Sequence, residues 1–503
     1  MDSAPSVAAS AESAVPDDSP DDSPDGTADA QPAGHRLRRS ARRLREARFD
    51  PYWLAAALFV AYATLSVTRY RRFASMSWDL GIFEQAVRSY AHFQAPIVDL
   101  KGPGTNVLGD HFSPVTALLA PFYRVFPSPV TLLVAQAVLF AVSAVPVTRV
   151  AARLLGRRRG LAVGIAYGVS WGVQRAVDFD FHEIAFAVPL IAFALEALLR
   201  ERWLAAACWA APLVLVKEDL GATVAAIGVV LFLRGRRAHE KVAPLALGLI
   251  GFGVLASAFA LSVVIPEFNT SGSYDYWNKI DAEGGGPAPT IPLETALRTL
   301  AWVLVPTTGL LALRSPLLLV ALPTLGWRFV SHEEHYWGTD WHYSAVLMPV
   351  VFLALVDAVH RSRRSQRRWL RGYADQLPAA VAAAGLALCT ALPMAGLTEA
   401  DTYRKPASVT EAEGLLDRVP DDATVEANIG PITRLTQRCR VLWIGDTRGV
   451  LPDYIALHEP NGRTPDQLVD YAHQLHPTTR YAHVGSAGGV HLLARVGGDR
   501  VTA

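Results

Sequence analysis

The chain has 503 residues, of which 51% belong to the AVILMFWYC set and only 18% are charged, against about 25% charged in an average soluble protein. That composition excludes a single water-soluble core, and three widely separated cysteines, Cys208, Cys389 and Cys439, exclude a disulfide framework or a zinc ribbon. The formal net charge of +1 is a sum over segments of opposite sign, and no nucleic-acid partner is expected from it.

Residues 1–34 carry eight acidic side chains, Asp2, Glu12, Asp17, Asp18, Asp21, Asp22, Asp25 and Asp29, with no Lys or Arg, which predicts a disordered acidic tail. In residues 35–51 the sign reverses: Arg36, Arg38, Arg39, Arg42, Arg43, Arg45 and Arg48 make a basic juxtamembrane segment. The first long apolar run begins only at Tyr52, too late for a cleavable signal peptide, so it is expected to remain as a span. Apolar runs near the length of about 20 residues that a membrane helix needs follow at about 52–69, 129–150, 160–176, 184–200, 203–216, 218–234, 243–265, 298–313, 316–330, 343–360 and 378–397. They predict a mainly α, polytopic transmembrane bundle of about 11 spans over 52–397, with a long first outer loop at 70–128.

Orientation follows from the arginines, because short cytoplasmic loops carry the Lys/Arg excess. Arg36–Arg48 place the N-terminus inside, and Arg153–Arg159, Arg200–Arg202, Arg234–Lys241, Arg314 and Arg361–Arg371 fall on the same side. Arg69, Arg71 and Arg72 are the exception. Ser113–Phe126 is apolar but short and contains Pro114, Pro121 and Arg124, so it is read as an interfacial or re-entrant helix rather than a crossing. The tail 398–503 is polar, with β-like runs at Ala423–Ala427, Val441–Ile444 and Val490–Val496, and predicts a small α/β domain on the outer face. Scarce Lys beside abundant Ala and Arg suggests a bacterial chain, hence the bacterial cytoplasmic membrane, with the lipid bilayer as its first partner.

Ionisable groups near a membrane core are costly and are functional candidates by default. With orientation set by arginines alone, the acidic and histidine clusters all fall on the outer face. Asp79 opens an amphipathic helix pattern that also contains Glu84, as a helix cap or as a reactive carboxylate. Asp110 and His111 sit in GDHFSP. In QRAVDFDFHE, Arg175 precedes Asp178, Asp180, His182 and Glu183; an extended segment would turn both aspartates to one side and Phe179 and Phe181 to the other. Lys217, Glu218 and Asp219 interrupt an apolar stretch and must reach the interface or line a polar cavity, where Lys217 could bind phosphate as a point charge. His332, His335 and His342 lie among Glu333, Glu334 and Asp340 and are candidate ligands of a divalent metal ion, although their spacing matches no defined zinc motif. The interleaved Tyr336, Trp337, Trp341 and Tyr343 suit an aromatic belt or a sugar-stacking wall.

The stretches WDLGIFEQ at Trp78–Gln85, GDHFSP at Gly109–Pro114, DFDFHE at Asp178–Glu183, KED at Lys217–Asp219 and VEANIGPITRLTQRCRVLWI in the tail resemble a family of multispanning bacterial membrane proteins, domain-of-unknown-function family 2079. That family looks like a distant branch of the GT-C glycosyltransferases. The resemblance implies a GT-C-like bundle that takes a sugar from a polyprenyl-phosphate carrier, with an acidic residue early in the first outer loop, here Asp79, serving the chemistry. Leu80 stands where better-defined members place a second acid. The function expected from residues and resemblance together is transfer of a sugar from that lipid-linked donor to a cell-envelope acceptor on the outer face. Asp79 would be the base, Lys217 and Arg175 would hold the phosphate, and the remaining polar residues would bind acceptor, sugar or a divalent ion. An ion- or proton-coupled transporter or lipid flippase, and a non-catalytic scaffold, are the alternatives.

Overall fold

The structure, a computed structural model, describes residues 33–236, 240–270, 272, 290–460 and 462–497, with side chains from residue 48 onward. The acidic tail up to residue 32 and the basic side chains before Arg48 lie outside the described residues. The chain divides into two units, Met1–Arg48 and Phe49–Ala503. The first is described only by the helical start of α1 (Ala33–Arg71), and the second contains every element from the apolar part of that helix onward.

After the apolar part of α1, Arg48–Arg71, the first loop carries α2 (Trp78–Ala91) and α3 (Ala120–Val125). The bundle continues with α4 (Pro129–Leu155), α5 (Arg157–Gly168), α6 (Trp171–Asp178), α7 (Ile184–Leu199), α8 (Trp203–Ala210) and α9 (Leu220–Gly235). Next come α10 (Val242–Phe259), α11 (Ile265–Phe268), α12 (Leu293–Thr308), α13 (Leu322–Val330), α14 (Glu334–Trp337), α15 (Leu347–Ser362) and α16 (Arg368–Leu388).

Among the described residues four helices are long and apolar enough to cross a membrane: Arg48–Arg71, Pro129–Leu155, Val242–Phe268 and Arg368–Ala391. The bent pair Glu334–Ser344 and Leu347–Ser362 makes a fifth if it counts as one span. The eleven apolar runs of the sequence are therefore not eleven long helices. The run 160–176 breaks at Ser170, between α5 and α6, and the run 203–216 becomes α8 followed by a 3-10 helix, Ala211–Leu215, that contains Pro212. Proline removes a backbone donor and crowds the preceding turn, which favours such breaks. Ser113–Phe126 forms a 3-10 helix, Pro114–Leu119, and α3, too short to cross, with Leu118, Phe122, Val125 and Phe126 exposed.

The polar tail folds as α17 (Ala407–Leu416), β1 (Thr424–Ala427), α18 (Ile432–Leu435), β2 (Arg440–Trp443), β3 (Tyr454–His458), α19 (Pro465–Leu475), β4 (Tyr481–Ala487) and β5 (Val490–Arg495). The sheet order is β2-β1-β3-β5-β4, with β1 parallel to β2 and β3, and β5 antiparallel to β3 and β4. The three β-like runs read in the sequence are β1, β2 and β5.

The apolar face of α2 and the loop after it are built into this sheet. Ile82, Ala86, Val98, Leu100 and Val107 share one buried cluster with Val425, Ala427, Ile432, Leu435 and Val441. Gln85 reinforces the junction: its Nε2 donates to the Val441 carbonyl at 2.9 Å and its Oε1 accepts from the Leu100 N–H at 3.2 Å. The approach is closest at Gly81, where an added Cβ would lie 2.4 Å from Ile432 Cγ2 and 2.8 Å from Leu100 Cδ1. Gly81→Val should therefore cost about 1–3 kcal/mol, the usual effect of forcing extra methyl groups into a packed core. Thermal unfolding of the purified protein would show the loss, and an unchanged midpoint would mean that α2 does not bear on the sheet.

Candidate active site

The site is built outward from the start of α2. Ser77, the residue before that helix, has φ 59° and makes no side-chain cap. Its N–H donates instead to Asp180 Oδ2 at 2.8 Å, while its hydroxyl accepts from the Gly430 N–H at 2.8 Å. Asp180 is itself left-handed, with φ 82°. Left-handed backbone in a residue other than glycine costs on the order of 1–3 kcal/mol and persists only where its surroundings over-determine it. Here two separate segments lock each other, and the first turn of α2 presents Asp79 to the segment His182–Glu183.

A chain of alternating charge runs from that carboxylate. Asp79 Oδ2 lies 3.6 Å from His182 Nε2, His182 Nδ1 lies 2.6 Å from Glu183 Oε2, and Glu183 Oε1 lies 3.3 Å from Lys217 Nζ. Burial pushes the Asp79 carboxyl up, but the His182 cation outweighs it and holds Asp79 below its ordinary range. Burial opposes the charge on His182 too, yet Glu183 and Asp79 raise it to about 9. Glu183, despite its burial, is held well below the carboxylate range by His182 and Lys217. Low local dielectric strengthens each of these contacts. His342 stacks on His182 with ring centroids 3.6 Å apart.

Asp79, His182, Lys217 and His342 line a cavity of about 560 Å³ together with His111, Glu218, Asp219 and His335, with Glu183 behind them. Several of its residues escape a reading of the sequence alone: Lys101, Trp327 and Ser331. Lys101 bonds Asp110 Oδ2 at 3.0 Å, and Asp110 also binds the His111 ring. Burial raises the Asp110 carboxyl, but His111 and Lys101 together hold it far below its usual range. A lone lysine in the loop LKGPGT carries no pattern that would have singled it out.

Other expected site residues point elsewhere. Asp178 ends α6 and pairs with Arg69 at 3.0 Å, while Asp180 turns to Ser77, so the two aspartates do not share a side as an extended strand would require. Arg175 faces Asp340 at 3.8 Å and is not among the residues that line the cavity. Glu84 is fully buried, accepts from Tyr123 Oη at 2.9 Å and from the Thr436 hydroxyl, and is pushed up to about 7 by burial; it ties α2 to α3 and the tail. Among the described residues no three His, Cys, Asp or Glu side chains are grouped to hold a metal ion. His335 bonds Glu333 at 2.6 Å, His342 stacks on His182, and His332 is not among the cavity-lining residues, so the expected metal set does not converge.

The loop carrying His335 and His342 is held by Arg328, a fully buried side chain of α13. Its guanidinium donates to the carbonyls of Tyr336 at 2.7 Å and Gly338 at 2.6 Å, and to Ser344 Oγ at 3.2 Å. Arg328→Met should lower stability by about 3 kcal/mol, since hydrogen bonds to a buried charged group contribute about 1.5–3 kcal/mol each and their acceptors would be left unpaired. Thermal unfolding checks this, and a shift indistinguishable from zero would contradict it.

Two solved structures share the fold. The chain is similar to ArnT from Cupriavidus metallidurans bound to undecaprenyl phosphate, with TM-score 0.57, 14% identity, and coverage of 88% of this chain and 98% of that one. It is also similar to the apo state of the same protein, with TM-score 0.51, 13% identity, and coverage of 87% and 97%. The bundle is therefore GT-C-like in fold. No curated protein matches the chain. The family described as a predicted membrane protein, DUF2079, matches residues 69–279 and 288–491, a span that includes Asp79, His182, Lys217 and His342, and the chain belongs to that family.

Proposed function

We propose that the chain is a membrane glycosyltransferase that moves a sugar from a polyprenyl-phosphate carrier to a cell-envelope acceptor, on the face of the membrane away from the cytoplasm. The observation that carries this reading is the convergence of Asp79, His182, Lys217 and His342, from four separate segments, on one cavity. The similar structure that holds undecaprenyl phosphate supports a polyprenyl phosphate as the donor carrier. The side of the membrane is supported by the arginine pattern: Arg153, Arg234 and Arg361 lie in the last turns of α4, α9 and α15, and short cytoplasmic loops carry the Lys/Arg excess.

In this reaction an acceptor oxygen attacks the anomeric carbon and the bond from that carbon to the carrier phosphate breaks. Polyprenyl phosphate leaves with the electron pair, and the acceptor proton passes to the Asp79 carboxylate. Asp79 is ionised at neutral pH and orients the hydroxyl, taking its proton as that hydroxyl becomes acidic in the transition state. Cationic His182 and Lys217 face the phosphate as it gains charge, and a fixed pair of cations needs no reorganisation at that moment. Glu183, held between them, keeps both in place.

Asp79→Asn in the purified, folded protein should lower transfer from a lipid-phosphate donor by about 10²-fold or more, with undecaprenyl phosphate still bound; unchanged turnover would remove Asp79 from the reaction. A pH profile gives a second check. His182 has its folded value raised above the ordinary one, so the cation is fully present below pH 6.5 and is lost as pH rises through about 9. Transfer should fall along that alkaline limb, and His182→Gln should flatten it at a lower rate. A limb of the same shape in the variant would assign it to another group.

A further inference from the structure

A second cavity, of about 410 Å³, adjoins the one that holds Asp79, and Trp78 and Lys101 line both. Its remaining wall joins the first loop, through Asn106, and the residues after α11, Asn269 and Thr270, to the end of β2 and the turn after it, through Trp443, Asp446 and Arg448. The site is built rather than incidental. Trp78 and Trp443 meet edge to face at 4.4 Å. Arg440 grips Asp99 through two bonds, at 3.0 and 2.9 Å, which fastens the loop to β2. Arg448 sits at φ 45°, bonds Asp446 at 3.0 Å and the Lys101 carbonyl at 3.2 Å, and lies against Gly102, where a Cβ would come within 2.3 Å of its guanidinium carbon.

The chemistry of this wall is two indoles, two amides, two hydroxyls, two cations and two carboxylates, with Leu100 its one aliphatic member. A polyprenyl chain would find almost no aliphatic surface there. A carbohydrate is better matched: indoles are large apolar surfaces with a polar edge, and amide, carboxylate and guanidinium groups offer the donors and acceptors that hydroxyls need. We infer that this second cavity binds a carbohydrate acceptor and delivers its hydroxyl past Trp78 to Asp79. The inference rests on the glycosyltransferase reading for its role and on the wall itself for its ligand.

The test uses the full chain in lipid nanodiscs and two measurements. The first is saturation-transfer NMR with soluble tetra- to hexasaccharides released from a bacterial cell-wall polysaccharide. Saccharide signals should appear with the wild type and fall in Trp443→Ala and in the double variant Asp446→Ala, Arg448→Ala, whose two side chains are half exposed. The second is transfer to the same saccharides: the acceptor KM should rise about tenfold in both variants, the loss of a central contact, with affinity for undecaprenyl phosphate unchanged. No saccharide signal with the wild type, or equal signals and equal acceptor KM in wild type and variants, overturns the subsite. Saccharide binding that depends on these residues in a protein that transfers no sugar supports the subsite and overturns the transferase reading instead.

Discussion

One backbone hydrogen bond, from the Ser77 N–H to buried Asp180, sets the rest of the site. It joins two residues that both hold left-handed backbone, so neither end can relax without releasing the other. Burial raises Asp180 to about 7 even with the Ser77 N–H bonded to it, the behaviour of a group placed for position rather than for exposed charge. Because α2 begins where this bond puts it, Asp79 falls opposite His182 instead of serving as an ordinary cap on a surface helix.

The charge arrangement follows from that placement. Asp79, His182, Glu183 and Lys217 alternate in sign, and each buried charge has an opposite neighbour. A buried charge without a partner would neutralise itself by shifting its pKa. With partners, the network stays ionised at neutral pH while facing a cavity, and so offers a carboxylate and two cations to one small volume. The reach of the network is short, which explains why Arg175 and Asp178, only a few residues away in the chain, take no part in it.

The other support comes from the far end of the chain. The sheet formed by β1 to β5 shares its apolar cluster with α2 and the loop after it, and at Gly81 an added Cβ would overlap Ile432 and Leu100. The tail is thus part of the platform on which Asp79 stands, and the two adjoining cavities lie where the first loop, the bundle and the sheet meet.

Read alone, the order of residues is enough to establish a membrane bundle with polar clusters at the helix ends. Charges such as those of Lys217–Asp219 cannot remain in lipid, so any such group between apolar runs is driven to an interface or a cavity. Three β runs of the tail were legible too, because β1, β2 and β5 are short apolar stretches buried almost continuously, whereas β4, whose residues alternate between buried and exposed, was not. Which clustered residues face one another was not. Asp178 and Asp180 share a parity, yet the end of α6 and the left-handed turn at Asp180 send them to different partners. Lys101 and Arg328 stand alone in their segments and become important only through contacts with Asp110 and with the carbonyls of Tyr336 and Gly338. The direction of a side chain depends on local backbone angles and on surfaces brought together from distant parts of the chain, and a one-dimensional pattern contains neither; only the folded arrangement makes one site of Asp79, His182, Lys217 and His342.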